Sequence, residues 1–319
     1  MDVFVWQPGK GFEAPSLARL RKHFKRPTAP MGEAWFMGDE RYLFEYLCGD
    51  IDRVPPDRLV RPLEEIASGT INFGVLGEWT DWYHYLLAAL IPRSHECWIR
   101  HYMLEHLVTA FMALYPDGVV EEPYKGFRDD ALQTLGRCIM DGVCWNGSEI
   151  AVGNVLHPSN DNPAQVWLWW DASGDFSASM FFCLKYLPAS AIPTWLRSAL
   201  SVPSPHWRAQ LVVWLIGAYK VLDGSVQWPS QLGEHEHPSI SWSWSHCLGP
   251  TLEPAQGETS ASALFIPEAN RLLALQTLNT EMTPRRANEW VASIASVDYL
   301  ESELAGLPEM FARLYVPGS

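Results

Sequence analysis

Apolar residues return along this chain at the spacing of a helix. Trp79, Trp82, Tyr83, Leu86, Leu87 and Leu90 fall at i, i+3, i+4, i+7, i+8 and i+11, which is one stripe on a rod of about 3.6 residues per turn. Leu104, Leu107, Val108, Phe111 and Tyr115 repeat the pattern, and so do Phe127, Ala131, Leu135, Ile139 and Val143. Phe176, Met180, Cys183, Leu184 and Leu187 follow, then Trp207, Leu211, Trp214, Leu215 and Ala218. In that last segment Val212, Ile216 and Tyr219 form a second apolar face, so the helix is expected to be covered on both sides.

Boundary residues agree with this reading. Pro92, Pro116, Pro188 and Gly224 follow the periodic runs, where a helix has to stop. Thr283-Pro284 reads as an N-cap with proline at the first helical position, ahead of Ala287, Trp290, Val291 and Ile294, and Pro267 opens the segment with Leu272, Leu273 and Leu275. Shorter helices are expected at 15–24, 39–48, 56–67, 190–201 and 297–315. Residues 3–6, 71–76 and 166–170 have the composition of short strands, but none has a hairpin partner. The pattern therefore predicts an all-α fold with little or no β structure, built from about a dozen helices joined by short turns. Stacked antiparallel hairpins, HEAT-like or in an α/α superhelical arrangement, fit that list; a strict fixed-period repeat is not visible. A single domain over 1–319 is expected, with 1–35 as a peripheral N-terminal segment.

Two stretches break the rhythm. Residues 144–164 are rich in Asn, Gly, Asp and Pro, and 223–263 carry glycine or proline at eight positions. A loop-rich insertion of roughly forty residues is unusual in a compact domain and is commonly functional. It holds Trp228, Trp242 and Trp244 beside Glu234 and Glu236, which makes these five the candidate binding surface.

Composition narrows the function classes. The 319 residues are 48% hydrophobic, 13% aromatic and 19% charged, enough apolar material for a large core. Mean hydropathy is -0.08 and no uncharged apolar run reaches about 18 residues, so no membrane span is expected. Residues 1–12 lack a basic stretch followed by an apolar one, the order that a secretory signal needs, so a cytoplasmic location is expected. The formal charge is -14, and it is uneven. Residues 1–26 hold six basic and two acidic groups, leaving 17 basic and 35 acidic residues, or -18, on the rest. Such a body repels phosphate backbones and anionic lipid, and attracts a basic partner protein. The six cysteines form no CxxC pair, which argues against a paired-cysteine zinc site.

Candidate chemistry is sparse. His235 and His237 alternate in the Glu234-His235-Glu236-His237 run and face one way on an extended segment; with His246, Cys247 or Glu253 they form a candidate site for a divalent ion. Glu78 and Asp81 lie among Trp79 and Trp82, and Asp171 follows Trp169 and Trp170. Carboxylates beside aromatic platforms are the equipment of a glycosidase. His95-Glu96-Cys97-Trp98-Ile99 lacks the second histidine of HExxH, so His101 and Glu105 are expected to be a surface i,i+4 pair. Asp129-Asp130 lacks the third carboxylate of an aspartate-rich prenyl site, because Gln133 stands there, and the helix dipole accounts for the two acids. GxxxxGK[ST], GxGxxG and GxSxG are all absent. The reading that best fits is a non-catalytic protein-binding protein without a cofactor. In its specific form it is an immunity-type antagonist covering a basic toxin. The carbohydrate hydrolase and the metal-dependent enzyme are the alternatives.

Overall fold

The computed structural model describes residues 3–33, 36–98, 101–151, 174–232 and 264–316, together with 238, 240, 242 and 245–249. The chain is all-α, with thirteen α-helices among the described residues. The only strands there are two short antiparallel hairpins, β1 (Cys97–Trp98) with β2 (His101–Tyr102) and β3 (Trp145–Asn146) with β4 (Glu149–Ile150). No helix among the described residues is long and apolar enough to cross a membrane.

The centre is a row of three helices. α2 (Pro56–Phe73) packs on α4 (Met103–Leu114), and α4 packs on α6 (Gly174–Tyr186). Every residue of α4 and α6 is buried, as an apolar-all-round helix requires. α3 (Gly77–Leu90) closes one side, with Trp79, Trp82, Tyr83, Leu86, Leu87 and Leu90 all buried, the stripe that the spacing predicts. Gly69 lets α2 approach it: a Cβ there would lie 3.1 Å from the Trp79 ring. α1 (Ala14–His23) lies across α3 and α5 (Phe127–Thr134).

The second half is organised around α8 (Pro205–Gly217). It carries α11 (Pro284–Ala295), α13 (Leu307–Tyr315) and β4. α10 (Glu268–Glu281) ties α7 (Ile192–Leu200), α9 (Tyr219–Asp223) and α6 together. Asn270 on α10 donates to the carbonyls of Leu184 and Leu187, which otherwise would be orphaned at the C-terminal end of α6. The remaining helix, α12 (Asp298–Glu303), packs on α11.

Proline has an answer inside α2. Pro62 donates no hydrogen bond to the carbonyl of Arg58 one turn earlier. The Tyr46 hydroxyl donates to that carbonyl instead, at 2.6 Å, while the Arg58 guanidinium covers the Tyr46 ring at 3.9 Å.

Several expectations change here. The 1–35 segment is not peripheral: Phe4, Trp6, Leu17, Leu20 and Met31 are core residues. The indole N–H of Trp6 donates to the Gly136 carbonyl at 2.8 Å, and its ring meets Trp195 and Trp207 edge-on at 5.3 and 5.9 Å. Residues 3–6 are not a strand, and 71–73 belong to α2; the segment 166–170 lies outside the described residues. The helix expected over 127–143 stops as an α-helix at Thr134 and tightens into 3-10 turns, so Val143 rolls out of the stripe and is half exposed. Residues 39–48 likewise form 3-10 turns rather than an α-helix. Contacts such as Trp6 to Trp195 span the chain. They do not establish a HEAT-like stack, in which each unit touches only its neighbours.

Candidate functional site

All ten tryptophans whose side chains are described are buried. That removes two members of the expected binding surface. Trp242 donates its indole N–H to Thr109 Oγ1 at 2.9 Å and stacks on Phe181, and Trp228 packs against Phe265. Both are wedges of the core, because a large apolar ring gains more from burial than from display. Glu234, Glu236 and Trp244 lie outside the described residues, as do His235, His237, Glu253 and Asp171. His246 is exposed, while Cys247 is buried and its thiol is pushed up to about 11 by burial.

The other candidates also separate. Glu78 accepts from the Gly32 backbone N–H at 2.5 Å and is spent on holding that turn. Asp81 sits exposed one turn along the same helix. Glu105 is not the surface residue that the i,i+4 reading expects; it is buried against Gly174 at the start of α6, and the side chain of His101 lies outside the described residues. Asp130 does more than face a helix dipole. It is buried, takes a bidentate pair of hydrogen bonds from Arg19 and accepts from the Tyr124 hydroxyl at 2.7 Å.

Ser204, Glu149 and His206 resemble a hydrolytic trio only in composition. The serine hydroxyl donates to Glu149 Oε1, and His206 Nδ1 lies 2.8 Å from the same oxygen. A histidine placed beside the serine, rather than between it and the carboxylate, relays no proton. Ser204 is the N-cap of α8, accepting from the Trp207 N–H, and Glu149 ties the β3–β4 hairpin to it. Burial works against the charge on Glu149, but hydrogen bonds from His206, Ser204 and the Ile150 N–H outweigh it and hold the carboxyl below its ordinary value.

Asp81 opens onto a groove of about 990 Å³. Three segments make it: residues 23–27 at the end of α1, 75–84 at the start of α3, and 114–123 after α4. Gly118, at φ +89, turns the chain after α4 and lays 117–122 along one wall. Asp81, Asp117, Glu121 and Glu122 line the groove, against one lysine, Lys25, and the imidazoles of His23 and His84. Glu122 also caps the next helix, accepting from the Gly126 and Arg128 N–H groups. The rim is apolar: Val75 and Val120 are 57% and 80% exposed.

The floor is aromatic. Phe24 stacks on His84 at 4.2 Å and His23 on Tyr124 at 4.0 Å. Tyr124 is itself fixed by Asp130 and Arg19. His84 Nε2 and the Tyr115 hydroxyl are 2.6 Å apart. Burial lowers His84 to about 4, so the ring is neutral, and burial raises Tyr115. Among the charged groups that the sequence singles out, Asp81 alone reaches this groove within the described residues. His84 and Tyr115 escape sequence reasoning because both sit within apolar stripes; a histidine three residues after an exposed acid was the available signal.

Comparison with known proteins adds no name: no family model matches the chain, and neither a curated protein nor a solved structure matches it.

Proposed function

We propose that the protein is a non-catalytic binding protein whose groove between α1, α3 and the segment after α4 receives a basic part of a partner protein. An immunity-type antagonist that covers a basic toxin is the specific form of this reading. The observation that carries it is the groove lining, in which four carboxylates face one lysine. The overall charge of -14 points the same way, since a concave site lined by one sign of charge focuses the field and steers a partner of opposite sign. The binding surface is thereby moved from the tryptophan-bearing insertion to an acidic groove with apolar lips.

The test is pull-down followed by rebinding of the purified partner at rising salt, with wild type and the D81K/E121K variant. A basic partner whose Kd rises with salt and which the variant fails to hold supports the reading. Recovery of no partner, salt-insensitive binding, or binding indifferent to the charge reversal overturns it. The carbohydrate alternative retains one observation, that Asp81 shares the groove with Asp117 and the ring of Tyr115; oligosaccharide hydrolysis abolished in D81N would install it instead.

A further inference from the structure

His84 is 5% exposed, yet it lines the groove. Phe24 covers one face of the ring and Tyr115 engages Nε2. Nδ1 has no hydrogen-bond partner among the described residues. Which ring nitrogen carries the proton is set by the bond at the other one. A phenol is a strong donor and a poor acceptor, whereas a bare imidazole nitrogen is a strong acceptor, so Tyr115 donates to Nε2 and the proton resides on Nδ1. That N–H belongs to a largely buried residue that lines the groove, and it has no acceptor among the described residues, so it is left to whatever the groove receives.

The surroundings restrict the missing acceptor. Asp81, Asp117, Glu121 and Glu122 share the groove and repel a carboxylate or phosphate. A neutral carbonyl carried beside a positive charge meets both demands. A lysine or arginine residue in an extended peptide has that arrangement, and Val75 and Val120 on the rim offer contact to an aliphatic neighbour.

We infer that the Nδ1–H of His84 donates to a main-chain carbonyl of a lysine- or arginine-bearing segment, while Asp81, Asp117 and Glu121 hold that segment's cationic side chain. This rests on the groove being the binding surface. His84 reads the backbone, Tyr115 is the positioning residue that sets its tautomer, and the carboxylates read the charge.

Two small probes separate these roles: Nα-acetyl-lysine N-methylamide, which has a cation and carbonyls, and n-hexylammonium, which has the cation alone. Both are titrated into protein carrying ¹⁵N-labelled histidine. In wild type the free protein shows His84 as the Nδ1–H tautomer, and only the amide probe shifts that nitrogen. H84F weakens the amide probe about five- to tenfold, the worth of one such hydrogen bond, and leaves hexylammonium unchanged. H84N, whose amide N–H can stand where Nδ1–H stood, recovers most of the loss. Y115F, retained as a second variant should H84F fail to fold, redistributes the proton between the ring nitrogens and weakens the amide probe selectively. If H84F and Y115F weaken both probes equally or neither, the backbone contact is wrong. If both probes bind and D81K/E121K abolishes both, the groove reading survives that failure; if neither probe perturbs the groove at all, the groove reading falls with it.

Discussion

Lys185 shows what a single side chain can reveal about its surroundings. It is 6% exposed, donates one hydrogen bond to the Phe265 carbonyl at 2.7 Å, and lies 4.8 Å from the centroid of the Phe265 ring. Burial lowers its pKa to about 8, opposed by the more distant charge of Asp117. The fold therefore favours the neutral amine, whereas the unfolded chain keeps its proton up to the ordinary lysine range near 10.5. Between those values the unfolded state binds more protons, so this residue makes stability rise as pH rises from about 8 to 10.5. Below that window the charged form carries its full penalty, on the order of 3 kcal/mol at about 1.4 kcal/mol per unit. Substituting Lys185→Met keeps the length and removes the titration. Urea unfolding of wild type and variant across pH 7 to 10 should show the wild type gaining on the variant as pH rises; parallel profiles would mean that the ammonium is better solvated than its position implies. The sequence shows only a lysine at the end of an apolar stripe, a place where the head group usually reaches water. It does not, because residues 264–266 cross over it, and no local pattern announces a crossing made by a segment eighty residues away.

At the scale of elements, the helices were legible where one face is apolar and the other is not. The stripe at 79–90 is buried residue for residue, and Thr283 caps α11 through the Arg286 N–H as the Thr-Pro pair foretells. Legibility failed where the chain departs from α geometry without changing composition. The 3-10 turns of 135–140 and 38–48 contain ordinary helix-forming residues, and tertiary packing selects the tighter winding. α2 is the informative intermediate: Pro62 should interrupt it, yet the helix runs to Phe73 because Tyr46 satisfies the carbonyl left over. Removing that hydroxyl with Tyr46→Phe should destabilise the protein by about 1 kcal/mol, the net worth of a hydrogen bond. The cause can be isolated. In a Pro62→Ala background the helix supplies its own N–H to Arg58, and the loss from Tyr46→Phe should shrink to a few tenths of a kcal/mol by a double-mutant cycle. Equal losses in both backgrounds would assign Tyr46 to packing against Arg58 rather than to rescue of the helix.

At the scale of the whole molecule, one apolar core runs from Phe4 to Tyr315, and the two ends of the chain help to build it. Charge imbalance foretold an acidic surface, but not where it turns concave; the groove exists only because the ends of α1 and α4 meet the start of α3, a juxtaposition that no local spacing records. The abundance of tryptophan, by contrast, finds its explanation in the core. Trp6, Trp195, Trp207, Trp145 and Phe176 form a chain of ring contacts with centroids 5.0 to 5.9 Å apart, drawing on elements that are up to two hundred residues apart in sequence. The N-terminal segment of this network is held at three further points: the Trp6 amide N–H donates to Ser198 Oγ, its indole N–H to Gly136, and Arg137 to the Val5 carbonyl. Trp6→Ala should thus lower unfolding free energy by about 3–5 kcal/mol, the range for emptying a buried aromatic site. Because Trp6 touches both the α5–α6 region and α7–α8, the loss should move the whole transition and keep it a single step. Urea unfolding followed by helical circular dichroism and by tryptophan emission tests this: coincident, shifted curves are the expected result. If the two probes part in the variant, with one half melting first, the halves are independent units joined by the N-terminal segment, and the core is two cores in contact rather than one.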